Sequence, residues 1–300
     1  MCGIVGLFIK DVALERDLGL LLAGMLEEMS SRGPDSAGFA LYGQPAAGGV
    51  KATLRTASPA HADALAAALG RGAAELGAGE ALARDTHVVV GVPDERLDAL
   101  LRHVRGADRD AELVGLGSRM ELYKEVGAPA DITARFGLRQ MRGSHGIGHT
   151  RMATESAVTT DGAHPFSTGL DQCLVHNGSL SNHNRLREKL RREGLAFHTE
   201  NDTEVAAAYL TWRMRQGMGL GDALQHSLQD LDGFYTFVVG TENGFGVLRD
   251  PIACKPAVMA ETDRYVAFAS EYRALANLPG VDGARLFEPE PATVYFWERH

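Results

Sequence analysis

The second residue of the chain is a cysteine. An initiator methionine ahead of a small residue is commonly removed, and its removal here leaves Cys2 with a thiol and a free α-amine. An α-amine has an ordinary pKa of about 7.7–8.0, so near neutral pH it can take the thiol proton and act as a built-in general base. One residue then supplies both nucleophile and base. By position alone Cys2 equally fits a buried cysteine at the start of a strand. The other sequence features with chemical potential are weaker. His145 and His149 stand four apart, a metal-ligand spacing on a helix, but Gly146 and Gly148 between them suit a strand or loop, so no metal is expected. Gly143, Gly146 and Gly148 lack the strand and helix that frame a dinucleotide fingerprint, and no phosphate-binding Gly-x-x-x-x-Gly-Lys-Ser/Thr run occurs, so no cofactor is expected. Cys173 and Cys254 lie in apolar stretches and read as inert core.

Five short segments move the reading of Cys2. They are Met1-Cys2-Gly3-Ile4-Val5-Gly6, Arg32-Gly33-Pro34-Asp35-Ser36-Ala37-Gly38, His149-Thr150-Arg151-Met152-Ala153-Thr154, His176-Asn177-Gly178 and Glu200-Asn201-Asp202-Thr203-Glu204. In this order they resemble the class II (N-terminal nucleophile) glutamine amidotransferases, over residues 1 to about 43 and 143 to about 275. The resemblance implies hydrolysis of L-glutamine to glutamate and ammonia, with Cys2 attacking the side-chain amide. It gives the Asn177 amide and the Gly178 N–H the oxyanion, and one such donor is worth about 2.7–4 kcal/mol in the barrier. Read alone, Asn177-Gly178 is a tight hairpin turn. The resemblance also implies that Arg151 grips the α-carboxylate, a task its planar guanidinium suits, that Asp202 holds the α-ammonium, and that Thr154 makes a further contact. A surface cation and a helix cap are the plainer readings of Arg151 and Asp202. Arg32 and Asp35 are expected to shape the loop over Cys2, and His164 to be supporting scaffold.

These groups need elements to hold them. Cys2 to Ile9 reads as a strand buried on both faces, and apolar residues at helical spacing over 12–30 predict a helix behind it. A turn-rich loop follows, then a strand at 39–42. Between 57 and 142 the texture changes to alanine-rich helices and short strands, including a possible strand over 112–123, which predicts a small inserted α/β lobe. After residue 143 seven strands are expected, with helices at 184–193 and 202–215, the second capped by Asn201 or Asp202. Arg185, Arg187, Lys189, Arg191 and Arg192 crowd the first of these helices; a solvated face is the default and a subunit-docking face the alternative. Together with the resemblance, this predicts an α+β fold: an N-terminal nucleophile hydrolase-like αββα four-layer sandwich carrying the lobe at 57–142.

Three hundred residues suffice for one large domain or two, and 45% hydrophobic with 23% charged residues is a globular composition. A net charge of −9 disfavours nucleic acid and anionic membranes. No apolar stretch approaches the ~20 residues that span a bilayer. With three cysteines and no targeting segment, a reducing, cytoplasmic setting is expected. Ammonia in water at pH 7 is mostly ammonium and non-nucleophilic, so relatives deliver it internally. The chain shows no synthase domain, which predicts a separate partner subunit, and its stand-alone architecture and long insertion resemble the amidotransferase-like subunit of glutamate-synthase-like complexes, including N-methylglutamate synthase. Met152, Glu155 and Asn201 depart from the sugar-aminating members and leave acceptor identity open. Two other readings stand beside this one: a γ-glutamyl amidase or transferase for N-alkylated glutamine or glutamate, and a non-catalytic glutamine-sensing subunit.

Overall fold

The computed structural model describes residues 2–152 and 158–299. Strands are numbered along the chain as β1 to β16. A seven-stranded antiparallel sheet has the order β15 (Arg285–Phe287), β13 (Val258–Glu261), β14 (Tyr265–Ala269), β1 (Gly3–Ile9), β8 (His145–Arg151), β2 (Ser36–Tyr42) and β7 (Met120–Val126). Facing it is a five-stranded sheet with the order β16 (Val294–Glu298), β12 (Gly244–Arg249), β11 (Gly233–Gly240), β10 (Gln172–Leu180) and β9 (Phe166–Gly169). Ile4, Phe8, Ile147, Cys173, Val175, Val238 and Phe245 fill the space between them.

Helices cover both outer faces. On the seven-stranded sheet lie α1 (Leu18–Glu28) and α4 (Pro129–Arg135); on the five-stranded sheet lie α5 (His183–Arg192), α6 (Asp202–Arg215) and α7 (Leu220–Asp230). The result is the expected αββα sandwich, an α+β fold. β1 is buried along its whole length because it has strands on both edges and packed layers on both faces. That position explains its unbroken apolar run better than any alternation could. From Thr203 to Trp212 every residue of α6 is buried, so this helix shows no polar face.

The segment expected as a lobe over 57–142 divides between two sheets. A third, four-stranded sheet runs β4 (Leu82–Arg84), β5 (His87–Val92), β3 (Val50–Arg55) and β6 (Glu112–Gly117), and packs its own apolar core against α2 (Pro59–Leu76) and α3 (Leu97–Ala107). β7 and α4 instead build the large sheet and its helix layer. The possible strand at 112–123 is two strands of different sheets, β6 paired with β3 and the start of β7 paired with β2, joined at Ser118-Arg119. The buried Asp171 carboxylate accepts from the N–H groups of Ser118, Arg119 and Met120 and so ties that connection to the start of β10. The helix expected over 12–30 is a 3-10 turn at Val12–Asp17 followed by α1, and α7 is an additional helix. Cys254 is exposed in a loop, not core, whereas Cys173 is buried and desolvation pushes its thiol well above the ordinary range. Arg187 is likewise turned inward and buried, bonding Asn184, Glu200 and the Asn201 carbonyl, so the basic face of α5 is not wholly solvated. Among the described residues no helix is long and apolar enough to cross a membrane.

Candidate active site

Strand alternation decides which side chains meet. Along β8, Gly146, Gly148 and Thr150 face α1 and Met29, which leaves His145, Ile147, His149 and Arg151 on the side of the five-stranded sheet. Along β10, Cys173 and Val175 point back between the sheets and Asn177 continues that row. Leu174 and His176 point instead toward α6. The motif residues His176 and Asn177 therefore serve opposite faces of one strand.

A cleft of about 830 Å³ opens where these strands end, lined by Cys2, Arg151, His164, His176, Asn177, Gly178 and Asp202, among others. The Cys2 Sγ lies 3.9 Å from the Met152 carbonyl oxygen. The Cys2 carbonyl is held from two sides, by Arg32 Nε at 2.9 Å and Asn177 Nδ2 at 3.2 Å. Arg32 is itself fixed by Glu271 at 2.6 Å, and that guanidinium holds the Glu271 carboxyl below its usual range. Asn177 Nδ2 also reaches Ser270 Oγ at 3.3 Å, and the same hydroxyl oxygen accepts from the Ile4 N–H.

Gly178 lies within β10, not in a hairpin turn. Its φ of +143° and the 1.9 Å that would separate a Cβ from the Phe234 carbonyl oxygen exclude any larger residue. Opposite it, Tyr235 has both backbone groups engaged by Asp250 on the far side of β11. The Gly178:Tyr235 pair is thus one that exchanges no ladder bonds, and β9, which pairs only with Gln172–Leu174, has already ended on the other edge of β10.

Asn201 caps α6 by accepting from the Thr203 N–H, which frees Asp202 from the capping role proposed for either residue. Asp202 Oδ2 accepts from the Leu180 N–H at 2.9 Å, and its Oδ1 lies 3.7 Å from His176 Nδ1. The Arg32-Gly33 turn packs directly on the Thr150–Arg151 backbone, where a Cβ on Gly33 would fall 2.4 Å from the Thr150 carbonyl carbon. The Asp35 N–H donates to the Arg151 carbonyl, so this loop braces the end of β8. Thr154 lies outside the described residues. His164 stacks on His149 with ring centroids 4.0 Å apart, and its Nε2 is 3.3 Å from Thr203 Oγ1. The structure therefore gathers Cys2, Arg151, His164, Asn177, Gly178 and Asp202 at one cleft and places Arg32 and Asp35 behind it.

Ser270 and Glu271 lie outside every sequence motif, while His176 and Thr203 lie inside two of them without a role read from the sequence. Ser270 and Glu271 are reached only across strand pairings, and a period-2 reading of β8 and β10 is the one sequence signal that separates the two faces. Among the described residues no group of three His, Cys, Asp or Glu side chains is arranged to hold a metal ion. His145 and His149 both sit on β8, engaged with other partners.

The fold is that of the class II amidotransferases, and the chain belongs to the glutamine amidotransferase-like family. It is 64% identical over 300 residues to the glutamine amidotransferase-like protein GlxB of Rhizobium meliloti (strain 1021), covering 99% of this chain and 98% of that one. A glutamine amidotransferase domain model matches residues 149–277. Glutamine–fructose-6-phosphate aminotransferase (isomerizing) of Vibrio vulnificus (strain YJ016) is 34% identical over 126 residues, 42% of this chain and 20% of that protein. Among solved structures, the B. subtilis glutamine phosphoribosylpyrophosphate amidotransferase complexed with ADP and GMP superposes with a TM-score of 0.61 at 21% identity, over 99% of this chain and 47% of that chain. At that identity the likeness is one of fold.

Proposed function

We propose that this chain hydrolyses L-glutamine to L-glutamate and ammonia, with Cys2 as N-terminal nucleophile, and delivers the ammonia to a synthase partner of glutamate-synthase or N-methylglutamate-synthase type. The observation that carries the reading is the convergence of Cys2, Arg151, Asn177, Gly178 and Asp202, drawn from four distant parts of the chain, on one cleft. With Met1 removed, the Cys2 α-amine takes the thiol proton and the thiolate attacks the glutamine δ-carbon. The oxyanion forms beside Asn177 Nδ2 and the Gly178 N–H, which the strand pairing leaves on the open side of β10. The protonated amine returns its proton to the departing nitrogen. Water then cleaves the γ-glutamyl thioester and regenerates the thiol. Arg151 and Asp202 hold the carboxylate and ammonium ends of the substrate. Residues 50–117 are an inserted lobe of this one domain. The partner rests on the chemistry of ammonia, which loses its nucleophilicity to protonation if released into water.

Steady-state kinetics with glutamine and γ-glutamyl-methylamide test the donor. Higher kcat/KM for glutamine is expected, and a clear preference for the methylamide would overturn the assignment in favour of an amidase for N-alkylated substrates. Purification through a C-terminal tag tests the partner, since a synthase subunit should accompany the chain and raise its glutaminase rate.

A further inference from the structure

Beneath the cleft lies a layer of three buried histidines, His149, His164 and His176. Its partners run from Asn177 at one end to Asp202 at the other. His149 Nε2 is 3.2 Å from Asn177 Oδ1. An amide oxygen only accepts, so Nε2 carries the proton and donates. The Cys2 carbonyl can also only accept, so the Asn177 NH2 is the group that faces it and Oδ1 the group that faces His149, and the bond from Nε2 reinforces that choice. With Oδ1 on His149, Nδ2 is directed at the Cys2 carbonyl and Ser270 Oγ. The flipped amide would set its oxygen against the Cys2 carbonyl oxygen and its NH2 against the donating Nε2, repelling at both ends.

The ring that reinforces this choice is firmly held. β8 lies between β1 and β2, and His149 is paired with Ile4 on one side and Gly38 on the other. Its plane stacks on His164 at 20°. His164 Nδ1 accepts from the His176 N–H at 3.4 Å, so its Nε2 donates to Thr203 Oγ1, whose hydroxyl in turn reaches His176 Nδ1 at 3.1 Å. The backbone leading into His164 is pinned by the buried Lys124, whose Nζ donates to the Asp161 and Ala163 carbonyls. Burial keeps these rings neutral, with His149 pushed down to about 3 and His164 well below the usual value. A neutral His149 has one N–H, and Asn177 receives it.

We propose that His149 is a positioning residue for amide hydrolysis, holding the Asn177 side chain so that its NH2 faces the nucleophile and the forming oxyanion. The inference rests on the glutaminase reading of the cleft. It assigns His149 an effect on the transition state that passes entirely through Asn177, with no contact to substrate.

The test is a double-mutant cycle with glutamine as substrate. His149→Phe keeps an aromatic ring against His164 and removes the donor; His149→Gln restores an N–H near the position of Nε2. For His149→Phe, kcat should fall about 10- to 100-fold with KM within about twofold, a smaller loss than the 10²–10³ expected from deleting an oxyanion donor. His149→Gln should recover most of it. In an Asn177→Ala background, His149→Phe should cost nothing further, because the group it positions is gone. Iodoacetamide alkylation of Cys2, which forms no oxyanion, should proceed at the wild-type rate in both His149 variants, and a cooperative denaturant unfolding transition shows that they are folded. Losses that multiply in the double variant, a wild-type kcat in His149→Phe, or an effect confined to KM would each overturn the positioning role. If wild-type protein does not hydrolyse glutamine, the underlying reading fails, and the positioning role fails with it.

Discussion

The two ends of β8 present almost the same residue in almost the same state. His145 and His149 are both buried, both pushed down to about 3 by desolvation, and both stacked at 4.0 Å, on Tyr42 and His164 respectively. They differ in what Nε2 reaches. At the first end it meets the main-chain carbonyl of Thr241 at 2.8 Å, and Ser144 Oγ lies 2.9 Å from the other ring nitrogen. At the second end it meets Asn177 at the cleft. Burial and a depressed pKa thus mark a structural histidine as readily as one beside an active site, and the partner of the remaining N–H tells them apart.

The comparison is sharpened most by removing the chemistry at the cleft end. Cys2→Ala should abolish glutamine hydrolysis, by about 10⁴-fold or more, with the melting temperature nearly unchanged because the thiol makes one long contact. A glutamine-sensing subunit would instead keep complex activity in this variant. Asn177→Ala should lower kcat about 10²–10³-fold, measured as glutamate release. His145→Phe, the counterpart of the His149 substitution at the opposite end of the strand, should leave kcat within about twofold. It should cost about 1–3 kcal/mol of stability, because the Thr241 carbonyl loses its donor; denaturant unfolding reads the loss, and a fall in kcat matching that of His149→Phe would erase the distinction between the two ends. What the ends share appears in acid. His87, His145 and His149 have folded pKa values of about 3 and His164 is also depressed, so the stability they carry is complete above their unfolded value near 6.5 and declines as pH falls toward 3. Unfolding at pH 5 should take up at least about three protons per molecule, by calorimetry in buffers of different ionisation enthalpy.

Much of the candidate site was legible in the sequence because the chemistry proposed for it asks for particular side chains in short, contiguous motifs. Cys2, Arg151, Asn177-Gly178 and Asp202 each stand beside residues that shape the local backbone, as Asn201 does when it caps α6. Of the supporting residues, Arg32, Asp35 and His164 stood in or near the motifs, but their distant partners were not legible. Ser270 meets Asn177 across 93 residues and Glu271 meets Arg32 across 239, contacts set by which strands become neighbours. Asn177-Gly178 also fits a turn, because the positive φ that a turn asks of glycine is here used inside a strand. The lobe's texture was visible as alanine-rich helices. Its sheet begins earlier, at Val50, and β7 joins the large sheet, since pairing with β2 depends on long-range register and not on composition.

The most direct test of the central claim is intact-mass and peptide analysis after exposure to 6-diazo-5-oxo-L-norleucine, an electrophilic glutamine analogue. Active protein should lack Met1 and take up one adduct per chain on Cys2, with protection by glutamine and loss of activity in step with labelling. Active protein that retains Met1, or an adduct on any residue other than Cys2, would contradict it.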